Sequence, residues 1–139
     1  MKKLFSFALI VAMSINSSLG GEIARLPNYT KTLSELIVIQ QTGGLGGSEN
    51  ASVEVVTILG NPAAPGPYAQ LLKVKANARI APHHHAGDRV ATVLSGTWYF
   101  GYGGKRSETA MIKLYQGSVH TEPSNSAHYA ETDAEPVVV

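Results

Sequence analysis

Residues 77–96 read NARIAPHHHAGDRVATVLSG, and residues 117–132 read GSVHTEPSNSAHYAET. The first stretch carries Pro82-His83-His84-His85, at the end of a strand or the start of a loop; the second carries His128. Side chains of an extended chain alternate between faces, so His83 and His85 point one way and His84 the other. Two imidazoles two residues apart on one face can chelate a single ion. On a helix the same spacing would not serve, because positions i and i+2 do not face each other. His128 lies on a separate predicted strand and can supply a third nitrogen across it. Neutral imidazole suits iron, nickel, copper, zinc or manganese. The competing reading of a bare His-x-His is a solvated cluster of polar residues.

Outward from these stretches the chain breaks into short β-forming segments. Leu33 to Gln40 holds Leu36, Ile37, Val38 and Ile39 and reads as a first strand; Gly43-Gly44-Leu45-Gly46-Gly47 then forms a loop. Ser52–Leu59 and Tyr68–Lys75 follow, separated by Gly60-Asn61-Pro62 and Pro65-Gly66-Pro67. Arg89–Leu94 and Thr97–Tyr102 flank Ser95-Gly96, which reads as a hairpin turn. Met111–Tyr115, Ser118–Thr121, Ala127–Glu131 and Val137–Val139 complete the series. No stretch after residue 21 keeps a 3.6-residue apolar stripe for three turns, and many short strands with regular turns imply a sandwich or barrel.

With both stretches in view, the sequence resembles the cupin superfamily, in its small single-domain, cupin type-2 or ChrR-like branch. The first cupin motif is G-x5-H-x-H-x3,4-E-x6-G. Asn77 takes the place of its first glycine, His83 and His85 are its histidines, Arg89 falls where its glutamate belongs, and Gly96 closes it. The second motif is G-x5-P-x-G-x2-H-x3-N, and here it runs Gly117, Pro123, Asn125, His128, Thr132 without a gap. The resemblance covers about residues 52–139. It implies an all-β double-stranded β-helix, the jelly-roll barrel, with a divalent transition metal (Fe, Mn, Zn or Ni) held by His83, His85 and His128. Cupins of this size include dioxygenases, isomerases and lyases; others are non-catalytic sensors or binding modules, and metal sequestration is a third role. No catalytic residue is assigned.

Four positions depart from the motifs. Asn77 and Asn125 stand in for glycines, and asparagine tolerates positive φ better than most residues, so a turn remains feasible at each. Thr132 replaces an asparagine that is not a ligand. Arg89 is the serious departure, because a guanidinium has no lone pair to donate. Three readings follow: a site of three histidines with Arg89 pairing an anionic substrate group; Asp88 reaching in through a bulge; or a pocket that has lost its metal. Strand alternation puts position 89 inward and position 88 outward, against the second. Tyr68 and Gln70, with Arg89, are expected to line the mouth and bind substrate, a placement the family resemblance implies. His120 reads as a packed or half-exposed residue. Glu122 is a candidate replacement carboxylate, but by alternation it shares a face with His120, and the favoured reading is outward, structural or supporting a ligand. Trp98, Tyr99, Phe100 and Tyr102 read as core or hairpin packing. No nucleophile elbow surrounds Ser107 or Ser124, which argues against a serine hydrolase.

Composition sets the outer bounds. The chain has 139 residues, 44% hydrophobic and 15% charged, which suits one globular domain. It has no cysteine, which excludes disulfides, thiolate metal sites and a cysteine nucleophile. Lys2 and Lys3, the twelve uncharged residues from Leu4 to Ile15, and Ser18-Leu19-Gly20 have the layout of a signal peptide cleaved after Gly20. The apolar run is shorter than the roughly 20 residues of a membrane span. The expected organisation is a signal peptide at 1–20, an arm with the first strand and glycine loop at 21–51, and the barrel at 52–139. Export predicts a periplasmic or secreted protein with no membrane association after signal removal, and slightly favours chemistry that needs no external reductant. Removing Lys2 and Lys3 leaves 9 basic residues against 10 acidic, so nucleic acid is not an expected partner; a small-molecule ligand is what the family resemblance implies. Family members continue past Val139 with a closing strand. The expectation is therefore either truncation at that strand or an edge covered by another subunit, as in a homodimer.

Overall fold

The computed structural model describes residues 25–40 and 50–139. The expected signal peptide and the Gly43–Gly47 loop lie outside the described residues. The barrel strands are β1 (Val53–Leu59), β2 (Ala69–Val74), β3 (Arg79–His83), β4 (Arg89–Thr92), β5 (Thr97–Tyr102), β6 (Ile112–Tyr115), β7 (Val119–Glu122), β8 (His128–Thr132) and β9 (Val137–Val138). All their pairings are antiparallel, and the strands form sheets β1-β2-β9, β3-β8-β5-β6 and β4-β7.

The pairing is nested. β2 pairs with β9, β3 with β8, β4 with β7 and β5 with β6. From β2 onward the chain is thus one long antiparallel hairpin with its tip between β5 and β6. The additional β5–β8 ladder rolls that hairpin on itself, which is the jelly-roll architecture. Inward residues of each arm fill the roll: Val74, Ile80, Val93, Trp98, Phe100 and Val137 are among its buried core residues.

Turn chemistry fixes the corners. Asn77 and Asn125 have φ of 55° and 56°, so both take the left-handed conformation of the glycines they replace. Gly96 (φ +78°) has no room for a side chain, since a Cβ would lie 2.6 Å from the carbonyl oxygen of Pro136.

Two expectations fail. Leu33–Gln40 is not a strand: Leu33–Ile37 forms a short helix, α1. Thr32 Oγ1 accepts from the Glu35 N–H, and the Thr32 N–H donates to Glu35 Oε2 at 2.7 Å. That capping box satisfies the first turn, and it outweighs β-propensity because no residue of α1 is buried in a sheet. Ser95-Gly96 is not a hairpin turn either. β4 leaves it to pair with β7, β5 pairs with β6 and β8, and Ser95 bridges to Val138. The terminal valines are held in the fold. Val137 and Val138 pair with Val74 and Lys73, and Val137 is fully buried.

Candidate metal centre

The nested hairpin decides which residues meet. His83 on β3 is the register partner of His128 on β8, and Arg89 on β4 is the partner of Glu122 on β7. Six residues along one arm match six residues back along the other, so two successive rungs of the roll carry the site. His85 follows β3 on the same face as His83; both are partly buried, while the intervening His84 is exposed. The loops between the rungs are tied together. The Asn125 N–H donates to the His85 carbonyl at 2.8 Å, the Ser124 hydroxyl to the Ala86 carbonyl at 2.9 Å, and the Ser124 N–H to Asp88 Oδ1 at 2.7 Å. Asp88 is therefore exposed and engaged with the loop, so the reading in which it reaches the site through a bulge is corrected.

One nitrogen from each of His83, His85 and His128 lies within 4.8 Å of the other two. Their tautomers follow from their partners. His83 Nδ1 lies 2.9 Å from the Ala81 carbonyl, and His128 Nδ1 lies 3.1 Å from the Ser126 carbonyl. A carbonyl oxygen only accepts, so each Nδ1 bears the proton and each Nε2 keeps its lone pair. Arg89 Nη1 donates to His85 Nε2 at 3.0 Å, which makes that nitrogen an acceptor as well. His128 Nε2 is buried without a hydrogen-bond partner. An orphaned lone pair beside two others fits a cation, and imidazole donors suit a transition metal.

Electrostatics favours the neutral form of His85 and His128. Burial, then the charge of Arg89, lowers the His85 imidazole from 6.5 to about 4, against the opposing pull of Glu122. Burial lowers His128 too, opposed by its bond to Ser126.

Glu122 and His120 both turn inward, contrary to the outward reading of Glu122. Oε2 of Glu122 lies 3.4 Å from His85 Nε2, 3.7 Å from His128 Nε2 and 3.8 Å from Arg89 Nη1. Oε1 lies 3.6 Å from His120 Nε2, and the His120 ring packs on Phe100 with centroids 4.1 Å apart. Burial alone would raise the Glu122 carboxyl; the facing His120, His128, His85 and Arg89 outweigh it and hold it below the usual value. The signal for Glu122 lies in the register: once His83 is set opposite His128, Arg89 falls opposite Glu122. Phe100 is also more than core packing, since its ring stacks 5.5 Å from that of His128 and forms a wall of the site.

A cavity of about 160 Å³ abuts His83, His85, His128, Arg89 and Glu122. A larger one of about 460 Å³ is lined by Tyr68, Gln70, Arg89, Trp98, His120 and Glu122. Arg89, Gln70 and Glu122 border both. The expected substrate-facing residues thus share one wall system.

Solved structures share this architecture. A cupin superfamily protein from Desulfitobacterium hafniense superposes at a TM-score of 0.54 with 16% identity, over 83% of this chain and 93% of that one. The cupin domain of Cnp3 from Schizosaccharomyces pombe gives 0.52 at 11% identity, over 63% of this chain and 60% of that one. Salicylate 1,2-dioxygenase from Pseudaminobacter salicylatoxidans gives 0.50 at 16% identity, over 63% of this chain and 25% of that one, so this chain matches a quarter of the dioxygenase's length. No protein-family model and no curated protein matches the sequence. The nested all-β roll is therefore a jelly roll of the cupin type. The chain has the cupin-superfamily fold that its two motifs led us to expect.

Proposed function

We propose that this protein is an exported cupin that holds one divalent transition metal through Nε2 of His83, His85 and His128 and acts on a small organic anion. The observation that carries the reading is the tautomer pattern. Backbone carbonyls of Ala81 and Ser126 accept from the Nδ1–H groups of His83 and His128 and leave their Nε2 lone pairs free, one of them buried and unpartnered, in a group whose ring nitrogens lie within 4.8 Å of one another. Bound there, the metal would supply Lewis-acid chemistry or activate oxygen or water. The chain's own residues bind and orient. Arg89 borders both cavities and offers a planar cationic fork to a carboxylate or similar group. Tyr68 and Gln70 line the outer cavity, whose volume of about 460 Å³ suits a small molecule. Export rests on the cationic start, apolar run and small residues of positions 1–20. Self-association is part of the proposal, supported by the exposed Val90 and Val119 on β4 and β7 and by Ile112 and Tyr115 on β6.

Elemental analysis of the protein purified from its native compartment tests the metal, with one equivalent per chain expected. A second reading, a metal-free binding module, is favoured by one contact: Arg89 Nη1 already occupies the His85 lone pair. A wild-type protein without metal that still binds small carboxylates through Arg89 would establish that reading instead.

A further inference from the structure

Among the described residues, Glu122 is the one acidic side chain turned into the cluster of ring nitrogens, and its partners there stand at ion-pair rather than hydrogen-bond distance. Its side chain is 13% exposed, and the ring and guanidinium nitrogens facing it stand 3.4 to 3.8 Å away. Those separations exceed the roughly 2.7–3.2 Å of a hydrogen bond. The two oxygens divide the surroundings between them. Oε1 faces His120, while Oε2 faces His85 Nε2 and His128 Nε2. Both of those nitrogens are acceptors, since the His128 proton is on Nδ1 and the His85 lone pair receives Arg89. Oε2 is thus aimed at the free lone pair of His128 Nε2 and at His85 Nε2, whose lone pair already takes the Arg89 N–H. Acceptors crowd in this way around a cation: the Arg89 guanidinium serves His85 Nε2 at 3.0 Å and stands 3.8 Å from Oε2, while the buried His128 lone pair has none. Donors that share one small divalent ion lie about 3 to 3.5 Å apart, close to the separations seen here.

We infer that Glu122 supplies the anionic donor of this metal centre, its Oε2 joining His83, His85 and His128 from β7. This rests on the three-histidine reading above. His120, packed on Phe100 and facing Oε1, positions the carboxylate. The register pair of Arg89 and Glu122 then sets one anionic donor and one cation side by side at the same rung. The donor faces the metal, and the cation borders the outer cavity.

Titration of the full folded protein with cobalt(II) alone tests this, with affinity and the visible ligand-field spectrum as readouts. Glu122→Gln keeps the shape and removes the charged donor. It is expected to weaken cobalt binding on the order of 100-fold and to change the band positions and intensities. The double variant Arg89→Glu with Glu122→Gln returns a carboxylate to the same rung from β4 and is expected to recover most of the affinity. Unchanged affinity in Glu122→Gln overturns the inference, and so does weaker binding with an unaltered spectrum, which would make Glu122 a supporting residue. Wild-type protein that binds no cobalt fails the three-histidine reading itself, a separate outcome.

Discussion

The two rungs of the site obey the same register but differ in how they meet the cupin motif. At the rung of β3 and β8, His83 opposes His128, and each residue is the one its motif asks for. At the rung of β4 and β7, Arg89 opposes Glu122, and the charge expected on one arm appears on the other. The difference teaches that a rolled antiparallel hairpin offers its interior two positions per rung. A side chain can reach the same space from either arm, so a motif slot describes one arm while the chemistry depends on the pair.

The largest expected effect comes from breaking the first rung. His83→Ala with His85→Ala should remove bound metal altogether while leaving the β circular-dichroism signature intact, because neither histidine belongs to the buried core. Metal retention measured by elemental analysis would count against the histidine set. Changing the second rung should shift affinity without abolishing it. Arg89→Glu replaces a cation that contacts His85 with an anion, and metal affinity should rise on the order of tenfold. An unchanged value in a metal titration would mean that position 89 faces elsewhere.

His85, between the two rungs, sets a response to acid. In the metal-free protein His85 is held at about 4 against its ordinary 6.5, so between these values the unfolded chain takes up a proton that the folded chain refuses. Stability should fall as pH drops from about 6.5 toward 4, and His85→Asn should flatten that part of the curve in thermal melts. Melts with the same slope in both proteins would remove His85 as the cause. The smallest effect is expected at the clamp between the rungs. Asp88→Ala deletes the acceptor of the Ser124 N–H and should cost about 1 kcal/mol in denaturant unfolding.

Much of this was legible in the sequence because the relevant signals are local. Turn residues and β-forming runs locate the strands from residue 52 onward. Alternation sets His83 and His85 on one face and His84 on the other; Arg89 is inward and Asp88 outward as expected, although residues 84–88 are loop rather than the unbroken strand that expectation assumed. Asn77 and Asn125 were readable as turns because asparagine accepts the left-handed conformation that both adopt. The failures concern pairing and context. Thr32 and Glu35 carry a capping box that was open to inspection, yet the β-branched run after it dominated the reading. The supposed hairpin at Ser95-Gly96 failed because a tight turn does not reveal whether its flanking strands pair with each other or cross between sheets. Glu122 was placed on the correct face relative to His120. Its direction was wrong because the face it shares with His120 was taken as the outward one, whereas His120 packs on Phe100 and lines the cavity.

The most direct test is the metal content of the wild-type protein, measured by elemental analysis after isolation from its native compartment. One equivalent of a transition metal per chain, lost in His83→Ala with His85→Ala, is the expected result. Wild-type protein with only trace metal, and unable to take up cobalt or zinc on titration, would contradict the account.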